Sequence, residues 1–312
     1  MKTRQISTFL ISLALCLLLA AVLTFAVGAR TAVETDKLGS ISLTYCYDGQ
    51  AFEGLEIKLY RVANVDRSCE FTLTGNFADY SVEVNTVKTQ DEWRQIASTL
   101  HAYAAADSIE PTIAGITDAE GKIQFNDLAT GLYLVQGVTT DYLGGYCTFD
   151  SFMLSVPTVY SEIDNDTWVY DLEAVPKSVH AEPGEKTYTV NKVWKDAGVE
   201  DKRPLTIKVE LIRNGILHEE VILSAENDWS YSWTVVDDGA QWLVVEREIP
   251  EGYLVSIDQN NTTFLIANTH EDDDPPPGTG DTTDIYLYVI IMCIAGVALL
   301  AVGIGMHRGK KK

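Results

Sequence analysis

Lys186–Trp194 reads KTYTVNKVW, and its alternation of apolar and polar side chains is the pattern of a half-buried β-strand. Leu205–Arg213 and Ile216–Leu223 alternate in the same way, and Asn214-Gly215 between them is the favoured two-residue hairpin turn. Further strands are predicted at Trp229–Val236, Gln241–Glu248, Tyr253–Ile257 and Thr262–Thr269. Seven short strands over residues 185–270, with no helical period among them, predict a β-sandwich.

Upstream, residues 38–177 also read mainly as strands: Ser40–Tyr47, Leu55–Val62, Cys69–Leu73, Lys122–Phe125, Leu132–Val138, Ser151–Val156 and Trp168–Val175. One helix interrupts them. Thr89-Gln90-Asp91-Glu92 has capping-box spacing, Trp93, Ile96, Ala97, Leu100 and Ala104 recur at helical intervals, and the pattern stops near Asp107. Ala181-Glu182-Pro183-Gly184 between the two modules reads as a short hinge.

The ends have a different texture. Phe9–Val27 is apolar after a short basic start, with Val27 and Ala29 at the −3 and −1 positions of a cleavage site, so residues 1–29 read as a signal peptide; an uncleaved anchor is the alternative. Residues 271–284 begin with Glu271–Asp274 and continue with Pro275-Pro276-Pro277-Gly278, an acidic, proline-rich stalk. Ile285–Met306 is apolar and uncharged, long enough at about 1.5 Å per residue to span a bilayer as a transmembrane helix. The tail 307–312 carries Arg308, Lys310, Lys311 and Lys312, which keeps it cytoplasmic and the middle of the chain outside.

With a net charge of −22 the chain repels polyphosphates, which excludes nucleic acid as a partner. No Ser/His/Asp set, metal-ligand cluster or Gly-rich phosphate loop is present, so neither an enzyme nor a cofactor is expected, and Asp164–Asp166 and Glu271–Asp274 read as solvated acidic segments. Cys46, Cys69 and Cys147 cannot all pair; one bridge with a leftover thiol, or three reduced thiols, both fit the count.

Pro276-Pro277-Gly278-Thr279-Gly280-Asp281, then an apolar span, then a basic tail, resembles the LPxTG sorting signal of Gram-positive surface proteins, with Pro276 where that family has Leu. The resemblance implies cleavage by a sortase between Thr279 and Gly280, and transfer of the threonyl group to peptidoglycan or to another pilin subunit. Thr189-Val190-Asn191-Lys192-Val193-Trp194, Val244–Tyr253 (VVEREIPEGY) and Phe264–Thr269 (FLIANT) resemble the Cna-B repeat of adhesins and pilins. In that family a lysine on the first strand and an asparagine on the last form an isopeptide bond assisted by a glutamate. The matching positions are Lys192, Asn268 and Glu246.

The residues agree with that likeness on their own. Lys192 shares a strand face with Tyr188, Val190 and Trp194, Glu246 with Trp242 and Val244, and Asn268 with Phe264 and Ile266. Burial would lower the lysine pKa and raise the glutamate pKa, giving a neutral nucleophile and a protonated acid. A buried Lys–Glu ion pair with Asn as hydrogen-bond partner is the alternative.

Gly39–Leu43 (GSISL), Gly54–Ala63 (GLEIKLYRVA) and Gly131–Val135 (GLYLV) resemble the N-terminal domain of Gram-positive pilin subunits. There Tyr45 and Gln136 stand where a cross-link would need Lys and Glu, so no isopeptide bond is expected in that module. Trp168–Ser178 resembles the pilin motif whose lysine accepts the next subunit, which makes Lys177 the candidate acceptor; an exposed boundary lysine is the other reading. The expected fold is all-β, two tandem Ig-like or prealbumin-like sandwiches of Cna-B type, the first with one inserted helix, plus a C-terminal transmembrane helix. The expected function is a cell-wall-anchored pilin subunit, or else a non-polymerising adhesin for a host matrix protein.

Overall fold

The structure, a computed structural model, describes residues 32–159 and 167–270. The expected signal peptide, the Asp164–Asp166 segment, the stalk with Thr279-Gly280, the span 285–306 and the basic tail lie outside the described residues.

In the second module β14 (Gly184–Lys195), β15 (Thr206–Arg213), β16 (Ile216–Ser224), β17 (Ser230–Asp237), β18 (Trp242–Glu246), β19 (Tyr253–Asn260) and β20 (Thr263–His270) answer one for one to the strands expected; the first module supplies β1 to β13, given next. Asn214 and Gly215 have φ of 52° and 76°, the left-handed pair that a type I′ turn needs. The strands form a sandwich of a four-stranded sheet, β17-β14-β20-β19, and a three-stranded sheet, β16-β15-β18. Val190, Phe264 and Ile266 from one sheet meet Val209, Leu211 and Val244 from the other in its core.

The first module contains β1 (Gly39–Thr44), β2 (Cys46–Tyr47), β3 (Gln50–Ala51), β4 (Glu56–Val65), β5 (Phe71–Leu73), α1 (Gln90–Ala106), β6 (Ile113–Ile116), β7 (Lys122–Leu128), β8 (Gly131–Val135), β9 (Val138–Tyr142), β10 (Gly145–Phe149), β11 (Phe152–Val156), β12 (Asp171–Ala174) and β13 (Ser178–Ala181). Its sheets run β12-β1-β7, β13-β10-β9 and β11-β8-β4-β5, with β6 also on β4. The strands not anticipated, β3, β6, β9, β10 and β13, are short and weakly patterned; pairing with a neighbour recruits them, and no local signal announces that. β13 pairs with β10, so the first module continues to Ala181, beyond the boundary read at 177.

Helix α1 begins as the sequence requires. Thr89 Oγ1 accepts from Glu92 N at 3.2 Å while Glu92 Oε2 accepts from Thr89 N at 2.8 Å, a cap of about 1 kcal/mol. Its placement is less expected. The helix lies between the two modules, and β8 and β18, both fully buried along their length, are covered on one face by their own sandwich and on the other by α1. Along β8, Tyr133 and Val135 enter the first module's core, whereas Leu132 and Leu134 join the helix in the second.

This arrangement corrects the hinge expected at residues 181–184. Beside that link Asp237 is buried and bonded to both Lys186 and Tyr146, and Lys186 Nζ donates to Tyr146 Oη at 2.9 Å. Tyr146 belongs to the first module and the other two residues to the second, so the link is clamped.

Candidate functional site: a buried lysine, glutamate and asparagine

β14 and β20 are parallel neighbours, with Lys192 opposite Ile266 and Trp194 opposite Asn268. Lys192 and Asn268 therefore point into the core from adjacent strands, two residues apart in register. Glu246 comes from β18 across the sandwich, where it pairs with Val209 of β15. The structure brings together the three residues that the sequence singled out. Lys192 Nζ donates to Glu246 Oε2 at 2.9 Å, and Asn268 Nδ2 donates to Glu246 Oε1 at 2.9 Å. The Lys192 and Glu246 side chains are both 0% exposed.

Desolvation dominates the electrostatics. Burial pulls the Lys192 ammonium down to about 8, although Glu246 and Asp196 oppose it. Burial also pushes the Glu246 carboxyl above the usual carboxylate range against the pull of Lys192 and Asn268. Both shifts work against the ion pair and bring an amine beside a carboxylic acid within reach by transfer of one proton. Asn268 Oδ1 is buried with no hydrogen-bond partner among the described residues. A half-turn of the amide exchanges Oδ1 with Nδ2 and presents the carbonyl oxygen to a protonated Glu246, the contact that polarises an amide for attack.

An aromatic wall closes the site. Lys192 Nζ lies 4.4 Å from the centre of the Trp194 ring, which meets Trp229 and Tyr253 edge-on at 5.4 and 5.5 Å. Behind it, buried Asp196 accepts from Arg203 Nε at 2.8 Å and from Tyr253 Oη at 2.7 Å. Trp194 was legible from its strand face; the Asp196–Arg203–Tyr253 set carries no spacing signal and is assembled only by the fold.

The remaining candidates lie apart from this triad. Lys177 is exposed in the turn between β12 and β13, and its carbonyl accepts from Asp150 N at 3.3 Å. In the first module Tyr45 packs edge-on against Phe149 at 5.0 Å, and Gln136 Oε1 accepts from Tyr60 Oη at 3.0 Å. Cys46, Cys69 and Cys147 form no disulfide with one another. Among the described residues no group of three or more His, Cys, Asp and Glu side chains is placed to hold a metal ion.

Comparison with known proteins bears on the second module first. The family profile of the Cna protein B-type domain matches residues 188–269. A collagen adhesin of Staphylococcus aureus is 37% identical over 91 residues, a stretch that makes up 27% of this chain and 8% of that protein. Among solved structures, a single B repeat unit of the collagen-binding surface protein of Staphylococcus aureus is 20% identical, with a TM-score of 0.26, over 75% of this chain and 99% of that one. The major pilin SpaD of Corynebacterium diphtheriae is 17% identical, with a TM-score of 0.30, over 78% and 68%. The T6 backbone pilin of Streptococcus pyogenes is 12% identical, with a TM-score of 0.33, over 77% and 65%. Residues 188–269, which carry Lys192, Glu246 and Asn268, are thus similar to the Cna protein B-type domain, while the chain spans under a tenth of the length of the adhesin it matches.

Proposed function

We propose that this chain is a cell-wall-anchored structural protein of the bacterial surface, a pilin subunit, whose second module closes its own isopeptide bond. The observation that carries this reading is the Lys192–Glu246–Asn268 triad. Neutral Lys192 attacks Asn268 Cγ, Glu246 holds the carbonyl and relays a proton from the amine, and Nδ2 leaves as ammonia. The bond joins the first and last strands of the module, β14 and β20, so pulling on the chain ends loads a covalent link between neighbouring strands. Intact mass tests it: the folded protein should be about 17 Da lighter than its sequence, the mass of the ammonia expelled in acyl transfer to an amine. A mass equal to the sequence leaves a buried ion pair.

Anchoring follows from Thr279-Gly280 ahead of the apolar span. Wall-released protein should end at Thr279, and intact chains ending at Lys312 recovered from membranes alone refute sorting. Polymerisation through Lys177, exposed beside Pro176, predicts that Lys177→Ala abolishes the high-mass ladder on denaturing gels. The 37% identity to a collagen adhesin favours a second reading, a non-polymerising adhesin for a host matrix protein. A wild type that never forms a ladder selects it.

A further inference from the structure

β18 and β19 are the end strands of the two sheets of the second module, and the free edges of both meet helix α1 of the first. In the β15–β18 ladder Arg247 N donates to Lys208 O, so the Glu246 carbonyl one residue earlier points away from β15, out of the sheet. There it accepts from Tyr103 Oη at 2.8 Å in a buried contact. On the other edge, Ile257 N donates to Thr99 Oγ1 at 2.7 Å and Val255 N to Ser81 O at 2.8 Å. The Thr99 hydroxyl proton is itself given to Gln95 O at 2.6 Å, which leaves a lone pair aimed at Ile257. Thr99 and Tyr103 are four residues apart and share one helix face. Arg94 with Asp258 at 3.2 Å and Asp107 with Arg247 at 2.5 Å fasten the two ends of this stretch.

The Tyr103 contact falls on the main chain of the residue that must act on Lys192 and Asn268. Glu246 is the last residue of β18, and its carboxyl has to be held 2.9 Å from two nitrogens at once. Tyr103 is in turn held by Tyr80, whose ring stacks on it at 4.5 Å and whose hydroxyl donates to Asp107 at 2.5 Å. We propose that helix α1 of the first module positions Glu246 for the cross-link through Tyr103, so that docking of the two modules speeds formation of the bond. This rests on the cross-linking reading above. In the step served, the Nζ–Cγ bond from Lys192 to Asn268 forms, Cγ–Nδ2 breaks, and Nδ2 leaves as ammonia with the proton that Glu246 carries from the amine. Tyr103 touches none of the reacting atoms and is a positioning residue.

The test is the rate at which freshly synthesised full-length chain loses ammonia, read by intact mass in acid-quenched samples across a pH series. Tyr103→Phe should slow the reaction about tenfold, because a carbonyl freed at the strand end lets the carboxyl drift out of reach. Thr99→Val loosens the same helix face without touching Glu246 and should slow it less than about twofold. Tyr103→Phe should also narrow the pH window of the reaction, since Lys192 and Glu246 stabilise each other's charge less once apart; Asp196, which faces Lys192, and its partner Arg203 are unchanged in both variants. A merely structural helix would slow both variants in proportion to their stability and leave the window alone, and that result overturns the proposal. Tyr103→Phe matching wild type overturns it too, while the cross-link stands. A wild type that never loses ammonia removes the cross-link and this proposal together.

Discussion

Asn268→Ala isolates the cross-link from the charges around it. The substitution removes the acyl donor but leaves Lys192 and Glu246 paired at 2.9 Å, so no buried charge is stranded. Lys192 and Asn268 are 76 positions apart, and closing a loop of that length lowers the unfolded-state entropy by an amount worth about 4.5 kcal/mol at room temperature. For a unit of this size each kcal/mol moves the melting temperature by about 2–4 °C, so the variant should melt about 9–18 °C lower. Calorimetry gives the shift, and intact mass reports whether the ammonia was lost. Glu246→Gln is the companion variant, which keeps the reacting amide of Asn268 but supplies no acid. It should retain its ammonia, and should melt lower still because Lys192 loses its counter-ion in a fully buried site. Equal melting of wild type and Asn268→Ala, with the mass difference present, would refute the loop-entropy reasoning. A Glu246→Gln variant that still loses ammonia would refute the role given to the acid.

Three further outcomes follow from the geometry. The rate of ammonia loss should be bell-shaped in pH: only the net-neutral pair can hold an amine beside an acid, so the rate falls above about pH 8, where Lys192 gives up the shared proton, and again in acid, where a second proton binds; a rate still climbing at about pH 10 rules out acid assistance. Burial would raise the Asp237 carboxyl, but hydrogen bonds from Lys186, Tyr146 and Gly239 N outweigh it and hold the group below its usual range. A depressed folded value contributes stability above the unfolded pKa of about 3.9 and loses it as pH falls through the folded value, so Asp237→Asn should cost about 1.5–3 kcal/mol near neutrality and flatten the acid limb in denaturant titrations. Cys147 is 0% exposed, and a small alkylating reagent should modify it only in denaturant; rapid native labelling would contradict its place in the first core.

Much of this was legible in local pattern. The second module declared itself because alternation in Lys186–Trp194 and its successors repeats with a period of two, and Asn214-Gly215 admits little but a tight turn. The capping box at Thr89 marked the helix start because its signal is contained in four residues. The triad was legible for a related reason: a lysine, a glutamate and an asparagine each break an apolar strand face, and a polar group so placed needs a partner. β8 and β18 also carried a sign, since GLYLV and WLVVE are apolar without alternation, as strands covered on both faces are.

What covers those second faces is a different kind of information. That α1 fills the space between two sandwiches, that Tyr103 reaches the Glu246 carbonyl, and that Tyr146, Lys186 and Asp237 clamp the link are contacts between residues far apart in the chain. The sequence by itself determined the strands, the helix and the three polar residues, because each is set by neighbours a few positions away. The tertiary structure alone decided that the three meet at 2.9 Å and that the first module holds one of them in place. Those distances depend on how sheets and helix pack together, and no local spacing encodes that.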